Sequence, residues 1–162
     1  MHNAANRCGL TQALGPFPTI IAISASQNEI DISGSVADLR EIGLTIRALK
    51  LLASTSFTVP ALRHDPAPYD RALAEITVTQ GSETSVSVQG NALRISATPE
   101  RLEELASCFF FPEDARDGHH FHFELMPHDL DYSAESLALA VSVHRAGDGD
   151  VYHHAVPRSG PA

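Results

Sequence analysis

The sequence predicts an α+β fold: two tandem β-β-α-β-β units forming a two-layer sandwich, with a mostly antiparallel sheet and two helices on one face. The first observation behind this is an internal echo. Asn28-Glu29-Ile30-Asp31-Ile32-Ser33 returns 63 residues later as Asn91-Ala92-Leu93-Arg94-Ile95-Ser96. At the same shift Leu39 meets Leu102, Glu41 meets Glu104, Tyr69 meets Tyr132, and Ile76-Thr77-Val78 meets Leu139-Ala140-Val141, with no gap needed. Such self-similarity gives architecture more directly than any single motif. The second observation is that each echoed segment runs from strand-like alternation into one helical stripe and back. The third follows from geometry. One helix per unit cannot cover both faces of its sheet, so a single sheet of about eight strands would carry both helices on one side and leave the other open.

Pro18 to Ser24 and Glu29 to Ser33 are the first two strands, because Ile21, Ile23, Ile30 and Ile32 alternate with small or polar residues. Ser26-Gln27-Asn28 suits the turn between them, since Asn tolerates a left-handed backbone. Ser35 is a helix N-cap whose hydroxyl faces the backbone of Asp38, three residues on. Val36, Leu39, Ile42, Ile46 and Leu49 then recur at three and four residues, one apolar stripe on a helix ending near Ala53. Thr55 to Val59 is a short strand, Pro60 to Tyr69 a proline-rich loop, and Ala74 to Thr79 a strand. The second unit repeats the plan. Ser85 to Val88 and Leu93 to Ser96 are joined through Gln89-Gly90-Asn91. Thr98-Pro99-Glu100 combines a cap, a proline at the first helical position and an acid in the first turn. Leu102, Leu105, Ala106 and Phe109 form its stripe, and Pro112 ends it. His119 to Leu125 and Ser136 to Val143 are the last strands. Residues 1–16 read as a flexible leader, 17–144 as one globular domain built from units of about 20–80 and 83–143, and 145–162 as a flexible tail.

Composition excludes several functions. The 162 residues carry a net charge of −9, with Lys50 the only lysine, so clustered phosphate contacts to nucleic acid are not expected. No apolar run approaches the roughly 20 residues of a bilayer span, and no signal-like segment opens the chain, so a cytoplasmic protein is expected. The two cysteines, Cys8 and Cys108, fit reduced thiols better than a disulfide framework.

No residue set reads as an active site. No Ser sits in a Gly-x-Ser-x-Gly elbow, the glycines are scattered, and Cys108 falls mid-helix beside Phe109 to Phe111, where it reads as core. The string His119-His120-Phe121-His122-Phe123-Glu124 places His120, His122 and Glu124 on one strand face, with Phe121 and Phe123 on the other. Two histidines and a carboxylate are metal-ligand types, but Glu124 follows too closely for a cupin-like set, and His144 is the nearest further histidine outside the tail. A solvated strand face is the simpler reading, and no cofactor is expected. The acidic residues cluster instead. Glu100, Glu103 and Glu104 lie on the outer side of the second helix, and Glu113, Asp114 and Asp117 follow in the loop. A patch of this kind speeds association with a basic partner.

Leu93-Arg94-Ile95-Ser96, then Leu102-Glu103-Glu104-Leu105, then His120-Phe121-His122-Phe123-Glu124, together spanning about residues 84–144, resemble small bacterial immunity proteins of polymorphic toxin systems, in particular the immunity protein family numbered thirty-two. The first unit departs from this pattern, with Phe57-Thr58-Val59 in place of the His strand. The resemblance implies a non-catalytic protein that neutralises a cognate protein toxin. Glu100, Glu103, Glu104, Glu113, Asp114 and Asp117 are the candidate partner-binding residues. A small metal-binding protein or metal-dependent enzyme built on His120, His122 and Glu124, and an accessory subunit that forms a homodimer through its open sheet face, are the alternatives.

Overall fold

The computed structural model describes residues 21–51, 55–124 and 133–144. The predicted leader and tail, residues 1–16 and 145–162, lie outside the described residues. The architecture is α+β, with two helices and two open, mostly antiparallel sheets. In chain order the elements are β1 (Ile21–Ala25), β2 (Glu29–Gly34), α1 (Val36–Leu51), β3 (Ser56–Pro60), β4 (Arg71–Ala72), β5 (Glu75–Gln80), β6 (Ser85–Gln89), β7 (Ala92–Ala97), α2 (Pro99–Ser107), β8 (His120–Phe123) and β9 (Ala138–Val143). One sheet has the order β4-β1-β2-β9-β8 and the other β3-β5-β7-β6.

The predicted caps are present. Ser35 Oγ accepts from the Asp38 amide at 3.1 Å and donates to Asp38 Oδ2 at 2.6 Å. Thr98 Oγ1 accepts from the Arg101 amide at 3.4 Å, with Pro99 opening the helix. The stripes are buried as expected: Leu39, Ile42, Ile46 and Leu49 on α1, and Leu102, Leu105 and Ala106 on α2. Gly90 turns β6 into β7 at φ +60°, a conformation that favours glycine. Gly43, by contrast, is needed for space. A Cβ there would lie 2.9 Å from Phe110 Cε2, so α1 passes close to the chain leaving α2.

Where the sequence suggests one eight-stranded sheet, the strands divide into two sheets that interlock the units. β1 and β2 of the first unit join β9 and β8 of the second; β6 and β7 of the second join β5 and β3 of the first. The central pairs, β2 with β9 and β5 with β7, are parallel, and the remaining pairs are antiparallel. A helix separates β2 from β3 and β7 from β8, which lets the chain cross into the other sheet instead of turning back beside its predecessor. The 63-residue shift survives in the registers. It carries Ala22↔Ser33 onto Ser85↔Ser96, and Glu29↔Ala138 onto Ala92↔Glu75. It slips by one residue at β8: Phe57 faces Val78, but Phe121, not His120, faces Val141. The gapless alignment of the sequence reading is therefore interrupted after α2, where a shorter helix and a longer connection replace the first unit's path, and it resumes at β9.

A single apolar core joins both sheets and both helices, with Ile32, Ile46, Ile76, Leu93, Leu105 and Phe109 among its fully buried members. α1 packs on α2 and touches β2 of one sheet and β5 of the other. Among the described residues no helix is long and apolar enough to cross a membrane.

Candidate functional site

The acidic residues follow one another along a continuous path from α2 to the start of β8. Because Leu102, Leu105 and Ala106 take the inward stripe, the three helix acids face outward. Two of them are paired. Glu103 Oε1 accepts from Arg47 Nε of α1 at 2.8 Å, and the same guanidinium lies 4.2 Å from the Phe110 ring centre. Glu104 pairs with Arg101 one turn earlier. In the loop, Asp117 Oδ1 lies 3.2 Å from His144 Nδ1, and Glu113 and Asp114 occupy the exposed turn closed by Ala115 N–H donating to Pro112 O. Exposed pairs of this kind contribute about 0–1 kcal/mol each, so they shape the field more than they hold the fold.

β8 departs from strict alternation. Phe123 is buried, but Phe121 is 38% exposed. Its ring stacks on Phe111 at 4.8 Å and tilts against His119 at 5.6 Å. The cause is position: β8 is an edge strand, and its first residues run past the core. The acid-bearing loop starts immediately after Phe111, which is itself buried, so the exposed Phe121 ring is seated on the residue that leads into that loop.

His120 and His122 share the outer side of β8, with ring centres 5.0 Å apart. His120 Nδ1 is 3.0 Å from Gly118 O, while His144 is engaged with Asp117. Among the described residues no group of three His, Cys, Asp or Glu side chains is placed to hold a metal ion. Cys108 is not mid-helix as the sequence suggests but forms the C-cap of α2 and is half-buried. Burial first, and Glu104 second, push its thiol up to about 11, so it is protonated and non-nucleophilic near neutral pH.

The sequence reading leaves one sheet face free of helices but singles out no residue on it; in the five-stranded sheet that side carries Asp31. Along β2, Ile30 and Ile32 point into the core, and Glu29, Asp31 and Ser33 point out. Asp31 pairs across the sheet with Ser24 of β1 and Ala140 of β9. Its Oδ1 accepts from Ser142 Oγ at 2.7 Å. Burial raises its carboxyl above the ordinary value; the Ser142 hydrogen bond opposes that, and Glu29 adds to it. Beside it, Ser24 Oγ lies 2.7 Å from His64 Nε2, and His64 Nδ1 lies 3.2 Å from Leu62 O. This resembles a nucleophile and base, but Ser24 is only 7% exposed beneath the imidazole. The pair acts as a clasp. It pins the segment after β3, whose Leu62, Asp70 and Leu73 amides donate to Ile21, Ala25 and Ile23 carbonyls, against β1. The alternation Glu29-Ile30-Asp31-Ile32 already signals an outward Asp31; the Ser24 to His64 contact, 40 residues apart in sequence, has no sequence signal.

No protein-family model matches the sequence, and no curated protein matches it.

Proposed function

We propose that this chain is a non-catalytic cytoplasmic binding protein, an immunity protein that neutralises a cognate protein toxin by docking over the toxin's active site. The observation that carries the reading is the exposed Phe121 ring, seated on Phe111 at the head of the acidic loop. An aromatic anchor with a charged surround is the form that interface hot spots take. With a net charge of −9, the chain suits a basic partner. Glu100, Glu103, Glu104, Glu113, Asp114 and Asp117 then orient the partner around the Phe121 anchor. Arg47 and Arg101 hold two of these carboxylates in fixed positions, which lowers the entropy lost when a partner binds. A stable complex of this type buries about 1,600 Å² in total.

The test is co-purification with the product of the neighbouring gene. A one-to-one complex that suppresses toxicity supports the reading. Reversing Glu100, Glu103 and Glu104 to Lys should then slow association, and Phe121→Ala should speed dissociation. A neighbour with no toxic activity, or a toxic neighbour that is neither bound nor suppressed, sinks it.

A further inference from the structure

His120 and His122 stand on β8 as a matched pair. Two residues apart on a strand, they point to the same side. Both are exposed, and their ring centres lie 5.0 Å apart. An imidazole nitrogen binds zinc at about 2.0–2.1 Å, and the ring centre lies about 1 Å behind that nitrogen, so two imidazoles on one tetrahedral ion have centres about 5 Å apart. The separation on β8 is therefore already that of a two-point chelate.

The tautomer of His120 is the one such a chelate needs. Its Nδ1 lies 3.0 Å from Gly118 O. A carbonyl oxygen only accepts, so Nδ1 carries the hydrogen and Nε2 the lone pair. Histidines that ligate metals are held in the same way, by donating the second ring N–H to a carbonyl or carboxylate. Gly118 is itself anchored: its N–H donates to Val143 O at 2.8 Å, and its φ of +79° favours glycine. His122 supplies the other nitrogen. The two rings stand at 86° to each other. Among the described residues the His122 ring has no hydrogen-bond partner, so it turns about Cβ–Cγ without breaking a hydrogen bond. It also lines a cavity of about 690 Å³ with Glu124 and Glu135. That cavity gives an ion room for water ligands, and the two carboxylates raise the local concentration of cations. His119, the third histidine of the run, is engaged with Phe111 and Phe121 instead.

We infer that His120 Nε2 and one ring nitrogen of His122 chelate a single divalent first-row transition ion such as zinc, nickel or copper. Among the described residues no third side chain completes the set, so water fills the remaining positions, and a donor from another molecule can replace it there. The inference is independent of the toxin reading and uses none of the acids on α2 or in the loop after it.

The probe is Zn²⁺, titrated into the tag-free full chain with labelled histidines and followed by imidazole NMR. The ring signals of His120 and His122 should shift together along one saturating curve at one ion per chain, while those of His64 and His119 stay in place. Mg²⁺ should move neither, because it prefers oxygen ligands. His120→Asn and His122→Asn should each weaken binding at least about tenfold, since the second nitrogen binds intramolecularly once the first is in place. His119→Asn should leave the affinity unchanged. Amide spectra unchanged outside β8 show that each loss reports a missing ligand and not unfolding. Movement of one ring only, parental affinity in either single variant, binding no tighter than that of free imidazole, or shifts confined to histidines outside β8 would each overturn the proposal. A confirmed site with no toxin recovered would sink only the toxin reading.

Discussion

Replacing Gly43 with alanine should destabilise the protein, although it removes a glycine from a helix interior. In an exposed helix the change would gain about 1 kcal/mol. Here the new methyl group would sit 2.9 Å from Phe110 Cε2 and 3.0 Å from Phe109 Cβ, both inside normal contact. The Phe110 ring can swing aside, but it then leaves the Arg47 guanidinium 4.2 Å from its centre. That contact is worth about 0.5–1 kcal/mol at a partly exposed site. Phe109 has less freedom. It is fully buried, and its Cβ moves only with its backbone. Overpacking of this kind costs about 1–3 kcal/mol. The opposing terms leave a net loss of roughly 0.5–3 kcal/mol, which for a chain of this size lowers Tm by several degrees. Urea unfolding measures it as a lower midpoint at unchanged slope. A Phe110→Ala background should relieve part of the loss, because it removes the nearest obstacle, and a double-mutant cycle reads that coupling. A variant as stable as the parent, or more so, would refute the close approach of α1 to the chain leaving α2.

Two further outcomes follow from the ionisable groups. Asp31 keeps its proton to higher pH in the folded chain than its ordinary value of 3.8, because burial outweighs the Ser142 hydrogen bond. Between 3.8 and the raised value the native state binds more protons than the unfolded state, so stability falls as pH rises through that window. Asp31→Asn keeps an acceptor for Ser142 and carries no charge. It should therefore be more stable than the parent at neutral pH and lose this part of the pH dependence, as read from urea midpoints across the acid range. Equal or lower stability at neutral pH would refute the burial argument. For Cys108, a thiol pushed up to about 11 from the ordinary 9.0 should alkylate roughly a hundredfold more slowly in the native than in the urea-unfolded chain under mild alkali. A Cys8→Ser background isolates its signal in an iodoacetamide assay, and comparable native and unfolded rates would overturn the burial assignment.

The sequence by itself determined whatever depends on near neighbours. Ser35 and Thr98 start helices because their hydroxyls meet backbone amides three residues on. Leu39 to Leu49 and Leu102 to Ala106 choose the buried stripes by helical spacing, and Gly90 sets the β6–β7 turn by its allowed backbone angle. The candidate acids were legible as exposed for the same reason, since they occupy the side of α2 that the stripe leaves out. Only the tertiary structure decided which strands pair. A two-residue alternation tells a strand which face to bury, not which neighbour to take, and the two units have nearly equivalent strands, so β2 beside β9 and β7 beside β5 emerge only when both helices pack into one core. That same packing brought Arg47 to Glu103, laid His64 over Ser24, and set Asp31 of β2 against Ser142 of β9. Those contacts join residues distant in the chain, and only the shared core brings them together.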